Sequence, residues 1–302
     1  MYKYVRSDLA VELNEDVEDN SLDNGIILKT KILADCKIKE TIIEIVNEKG
    51  EKLLGKPQGV YITLEGDDLN EFDESIHKSF VKVLSNNLKK LIKDSKKILV
   101  IGLGNRQITP DSLGPLVVDN LYITRHLITE GIVDDSIEIS AISPGVMAQT
   151  GIESKEVLNA LCSKIKPDII IAIDALAARE PSRLGRTIQI CDTGISPGSG
   201  VGNDRAKLDY NTLGVKVIAI GVPTVISVPA IVNQAVERMM DFFISKPCGD
   251  SFELTEEEKY NLSCNFLDDN LITMFVTPKN ADEMVKKVSY TISEAINSFL
   301  EL

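Results

Sequence analysis

Between residues 25 and 66 the chain alternates apolar and polar positions. Ile27-Leu28-Lys29-Thr30-Lys31-Ile32, Thr41-Ile42-Ile43-Glu44-Ile45-Val46 and Val60-Tyr61-Ile62-Thr63-Leu64 read as strands, with turn signals at Asn47-Glu48-Lys49-Gly50 and Lys56-Pro57-Gln58-Gly59. That pattern predicts a small β subdomain. Residues 1–24 before it are polar and acidic and read as a loosely held N-terminal segment. From residue 67 the period changes to that of a helix, in Phe72, Ile76, Phe80, Val83, Leu84, Leu88 and Leu91. Strands are then expected at 97–101, 136–143, 168–173, 187–191 and 215–220. Helices are expected from Thr109 through Leu127, at 153–164, from Pro223 to Ile244 and at 279–300. Residues 246–270 look like a polar excursion, and Ile272–Val276 like a last strand. Strand–helix alternation over 67–302 predicts an α/β domain: a mainly parallel sheet with helices on both faces.

Two of the predicted strands deliver one aspartate each to the carboxyl edge of that sheet, where open α/β folds place ligands. Lys97–Ile101 leads through Gly102-Leu103-Gly104-Asn105 to Thr109-Pro110-Asp111, and Asp168–Ile173 ends on Asp174. Alone, Asp111 is explained as a first-turn acid complementing a helix dipole, and Asp174 as a residue closing a turn. Together they form a carboxylate pair, in which repulsion leaves one partner protonated while the other ionises. Such a pair can activate water and polarise an amide carbonyl without a serine, cysteine or metal.

Competing motifs are weaker. Gly102-Leu103-Gly104 lacks the third glycine of a dinucleotide fingerprint, since Gln107 stands there. Asp192-Thr193-Gly194 has the triplet of pepsin-like proteases, but in one copy and inside an α/β pattern. Asp192 follows a strand and is kept as a reserve catalytic residue. The glycine-rich run from Gly194 to Asn203 reads as a mobile loop, and Ser199 lacks the nucleophile frame because Pro197 precedes it by two.

Composition narrows the classes further. The 302 residues are 43% apolar, enough for one large core, and carry a net charge of −13. That charge, with 5% aromatic residues and no Trp, disfavours direct nucleic-acid binding. Five scattered cysteines (Cys36, Cys162, Cys191, Cys248, Cys264) read as free thiols in a reducing compartment. Only His77 and His126 exist, both in predicted helices, so neither a metal nor another cofactor is expected. With no signal peptide and no apolar run of about 20 residues, the chain is expected to be cytoplasmic and away from membranes.

These runs resemble the germination (spore) proteases of endospore-forming bacteria. The likeness is carried by Gly102-Leu103-Gly104-Asn105, Thr109-Pro110-Asp111-Ser112-Leu113-Gly114-Pro115, Thr124-Arg125-His126-Leu127, Ser143-Pro144-Gly145-Val146-Met147 and Thr150-Gly151-Ile152-Glu153. Ile171–Arg179, Asp192–Asn203 and Ala219–Val225 complete it. The resemblance implies an atypical aspartic-type endopeptidase with a hydrogenase-maturation-protease-like fold, whose two proposed catalytic aspartates fall on Asp111 and Asp174. It also implies a zymogen that autoprocesses, a homotetramer, a place in the forespore or spore core, and small acid-soluble spore proteins as substrates during germination. Family substrates are cut after an acid in a motif like Thr-Glu-Phe/Ile-Ala-Ser-Glu-Phe. Ser7-Asp8-Leu9-Ala10-Val11-Glu12-Leu13 repeats that order, so propeptide cleavage is expected between Asp8 and Leu9, with residues 1–8 mimicking substrate. Two other readings stay open: a metal-dependent maturation endopeptidase of the hydrogenase-protease type, and a non-catalytic peptide-binding module.

Overall fold

Continuous apolar stretches such as Ile169-Ile170-Ile171-Ala172-Ile173 suit strands covered on both faces. In a computed structural model they form the centre of a single sheet. The structure describes residues 7–15, 17, 22–33, 37–66, 69, 74–133, 137–202, 205–244 and 255–300; Cys36, Asn203 and Cys248 lie outside them. The strands are β1 (Ile26–Leu33), β2 (Ile38–Ile45), β3 (Gly59–Glu65), β4 (Lys97–Gly102), β5 (Glu138–Ile142), β6 (Ile169–Ala178), β7 (Thr187–Cys191), β8 (Lys216–Ser227) and β9 (Phe275–Val276). Their order is β1-β2-β3-β7-β8-β6-β4-β5, and β9 pairs with the end of β8. β8, β6, β4 and β5 run parallel. The three strands expected as a β subdomain form an antiparallel meander that joins this sheet through β3 and β7.

The two-residue period of β6 divides the core. Ile169, Ile171 and Ile173 face Phe80, Leu84 and Leu88 of the helix Glu74–Ile92, Val117 of Leu113–Asp119, and Val288 and Ile292 of Ala281–Asn297. Ile170 and Ala172 face Leu158 and Cys162 of the helix Ser154–Ile165. Helices therefore cover both faces, as an α/β sheet requires.

Four expectations change. The helix expected to run through Leu127 stops at Asp119; Thr124 instead ties the chain to the start of β5, its hydroxyl donating to the Ile137 carbonyl (2.6 Å) and accepting from the Ile139 amide (2.8 Å). The turn signal at Asn47 starts a helix, Glu48–Leu54, because the Asn47 side chain accepts from the amides of Lys49 and Gly50. Pro223 does not open a helix but lies inside β8, beyond Gly221, where the pairing of β8 with β7 stops and no ladder amide is needed on that side. Residues 7–15 of the N-terminal segment are not loose. Leu9 and Ala10 are fully buried against Leu176, Ala178 and Ile226, and Leu9 alone contributes roughly 1.5–3 kcal/mol of burial.

Candidate active site

β4 ends at Gly102 opposite Ile173, while β6 continues alongside β8 to Ala178. Asp174 thus sits within β6 rather than beyond its end, just past the last residue that β4 covers. The loop leaving β4 turns back over it. Gly104 takes φ +107°, and a Cβ there would lie 2.0 Å from the Asp111 carbonyl oxygen, so only glycine fits. The Asn105 amide donates to Asp111 Oδ2 (2.7 Å), and Thr224 of β8 pins the loop by donating its hydroxyl to the Pro110 carbonyl (2.7 Å). Asp111 and Asp174 consequently line one cavity of about 280 Å³, together with Met147, Arg205, Thr224 and Phe275.

Their environments differ. Asp174 is 5% exposed and accepts one hydrogen bond, from the Ala175 amide (3.0 Å). Burial, then the like charges of Asp111 and Asp8, push its carboxyl well above the usual carboxylate range. Burial also raises Asp111, but the Asn105 amide and the positive charge of Arg205 oppose it. Burial and like charge therefore favour the protonated form at Asp174, while an amide and a positive charge favour the ionised form at Asp111. One side chain can accept a proton while its neighbour donates one.

Beside this cavity lies the N-terminal segment. The Asp8 amide donates to the Ala177 carbonyl (3.1 Å), and Asp8 Oδ2 accepts from the Ala177 amide (3.0 Å). Ser199 donates to Asp8 Oδ1 (2.8 Å). The Asp8 carbonyl accepts from Lys56 Nζ (3.0 Å) and Gln189 Nε2 (3.1 Å). Four residues on, the buried Glu12 carboxylate accepts from the amides of Arg179 (2.7 Å) and Glu180 (2.9 Å) and from the Ser7 hydroxyl, with Arg183 3.8 Å away. The helix Ala10–Glu15 carries Glu12, and Glu15 pairs with Arg183 at 2.5 Å.

Asp192, the reserve candidate, does not line the Asp111–Asp174 cavity. Its Oδ1 accepts from the Val60 amide (2.8 Å), which ties β3 to the residue after β7. His77 stacks on Tyr290 at 5.2 Å and bonds Thr291. Among the described residues, no group of three or more His, Cys, Asp or Glu is placed to hold a metal ion. Lys56, Gln189, Arg205, Arg179 and Arg183 were not legible as site residues, because each becomes significant only through a partner distant in sequence. The glycine-rich loop held a clue in Gly200, which is buried and leaves no room for a Cβ: one would lie 2.0 Å from Asp8 Oδ2.

The germination protease family model matches residues 5–251. The chain belongs to the germination protease family. The germination protease of Clostridium tetani is 42% identical, with 98% of this chain and 95% of that protein covered. That of Priestia megaterium is 44% identical over 79% of this chain and 68% of its own length. Among solved structures, a [NiFe] hydrogenase maturation protease, HycI, from Thermococcus kodakarensis matches 60% of this chain and 96% of that one at 16% identity and a TM-score of 0.30. The α/β assignment therefore rests on the strand order itself. As a germination protease, the chain is an endopeptidase, and the cavity at the carboxyl edge of its sheet is the place to look for its chemistry. Among the described residues no helix is long and apolar enough to cross a membrane.

Proposed function

We propose that this germination protease is made as a zymogen, cuts itself between Asp8 and Leu9, and then degrades small acid-soluble spore proteins in the spore core, using Asp111 and Asp174 to activate water. The observation that supports this is the cavity shared by two unequally buried aspartates, one within β6 and one in the loop that follows β4. Ionised Asp111 takes a proton from water as the oxygen attacks the scissile carbonyl carbon. Protonated Asp174 gives its proton to the carbonyl oxygen. Collapse of the tetrahedral intermediate returns that proton to Asp174 and breaks the C–N bond, while Asp111 passes its proton to the leaving amine. No metal or other cofactor enters this cycle. The working assembly is a homotetramer of self-processed chains.

The test is hydrolysis of a peptide carrying the Thr-Glu-Ile-Ala-Ser-Glu-Phe pattern, with and without chelator, by wild type, Asp111→Asn and Asp174→Asn. Removing a general acid or base costs roughly 10²–10⁴-fold. Each variant is expected to lose at least a hundredfold in kcat with its fold retained, and chelator to change nothing. A variant that still processes itself at the wild-type rate removes that aspartate from the mechanism. Sequencing the matured protein gives Leu9 as its first residue; any other start displaces the cut.

A further inference from the structure

The contacts around Asp8 are more specific than anchoring a leading segment requires. Both carboxylate oxygens are met by neutral donors, the Ser199 hydroxyl and the Ala177 amide, at 2.8 and 3.0 Å. Gly200 closes the wall behind them, and a Cβ there would overlap both Asp8 Oδ2 and, at 2.8 Å, the Ala177 side chain. Gln189 grips the backbone on both sides of the Asp8–Leu9 bond, donating to the Asp8 carbonyl (3.1 Å) and accepting from the Ala10 amide (2.6 Å). Lys56 holds the same carbonyl at 3.0 Å. Alongside lies a cavity of about 270 Å³, lined by Asp8, Lys56, Tyr61, Gln189, Ser199 and Lys207.

We infer that the socket holding Asp8 is the subsite that reads the acidic residue preceding the cut bond in any substrate, with Ser199 as a specificity-determining residue and Lys56 and Gln189 holding the carbonyl of that residue. This rests on the proposed cut between Asp8 and Leu9. The cut makes Asp8 the carboxyl terminus of the departing piece, so its leaving empties the socket. Glu12 lies on the retained side and keeps its own partners, Arg179, Glu180 and Arg183. The hydrogen bonds that a hydroxyl and an amide give to the two oxygens of one carboxylate are charge-assisted, and stronger than those a neutral carboxamide can accept in the same place.

The test uses self-processed protein and two peptides that differ only in Glu or Gln before the cut bond. Wild type is expected to prefer the Glu peptide in kcat/KM. Since a hydrogen bond to a charged group is lost, Ser199→Ala is expected to lower that preference by about tenfold or more, chiefly through KM. Equal loss on both peptides, or no loss, overturns the socket. Asp111→Asn is the separate control: it lowers kcat on both peptides with their ratio kept, so failure there counts against the aspartate pair and not the socket. A second measurement needs no variant. The free peptide of residues 1–8, ending in Asp8, is expected to inhibit wild type at least tenfold better than the same peptide ending in Asn, and equal inhibition overturns the assignment.

Discussion

Replacing Glu12 by alanine takes a buried carboxylate away from two backbone amides, the Ser7 hydroxyl and the Arg183 guanidinium. The amides of Arg179 and Glu180, 2.7 and 2.9 Å from its oxygens, lose their acceptor, and Arg183, 9% exposed, loses one of the carboxylates around it. Each buried amide left without an acceptor costs about 1–3 kcal/mol, so the pair costs about 2–6 kcal/mol. Arg183 keeps Glu15 at 2.5 Å and Glu65 at 3.3 Å, which holds its own share down. For a chain of this size each kcal/mol moves Tm by roughly 2 °C, and a drop of about 4–12 °C is expected by calorimetry. Undocking of residues 7–15 with the sheet intact is the alternative outlet for the same energy. It appears as faster hydrogen exchange, by about a hundredfold or more, at the amides of Arg179 and Glu180. Glu12→Gln should fall between, because its Oε1 can still accept from one amide while its NH₂ meets another N–H. If Glu12→Ala changes neither Tm nor exchange at those two amides, the segment is not held by this carboxylate.

Other consequences can be checked separately. Asp111, Asp174 and Glu12 all have raised carboxyls, so the folded chain binds protons more tightly than the unfolded one; stability should grow as pH falls from their folded values toward the ordinary carboxylate range near 4. Unfolding midpoints measured from pH 7.5 to 5 should rise for wild type and rise less for Asp174→Asn, which should also be the more stable protein at pH 7.5; parallel curves would contradict this. Gly104→Ala forces a Cβ to within 2.0 Å of the Asp111 carbonyl, and peptide hydrolysis should fall at least a hundredfold while far-UV circular dichroism stays native. Thr224→Val removes the hydroxyl bonded to Pro110, leaving a carbonyl without that donor; a loss of about 1–3 kcal/mol in denaturant unfolding is expected, and an unchanged midpoint would remove the pin.

Much of this fold could be read before it was seen. Strong runs such as Ile98–Ile101 and Ile169–Ile173 have one interpretation, and the residues that follow them lie at the sheet edge by topology alone. What escaped was set by neighbours distant along the chain. Glu12 looks like one acid in an acidic tail, and only the amides at the end of β6 together with Arg183 turn it into a buried anchor. Pro223 signals a break, yet the β7–β8 ladder stops at Gly221, which makes its missing amide harmless. In sequence Asp192 comes after an apolar run just as Asp174 does, but β7 sits on the antiparallel side of the sheet, and the Asp192 carboxylate is taken by the Val60 amide.

β6 outruns β4 from Asp174 onward, and a strand with an unpaired flank invites pairing with another chain. The segment's Asp8 amide covers that flank by donating to the Ala177 carbonyl. Losing residues 1–8 uncovers a short template whose backbone groups suit an extended peptide. If the proposed cut is made, the remaining chain carries a ladder waiting for a rung, beside the aspartates proposed to cut whatever fills it.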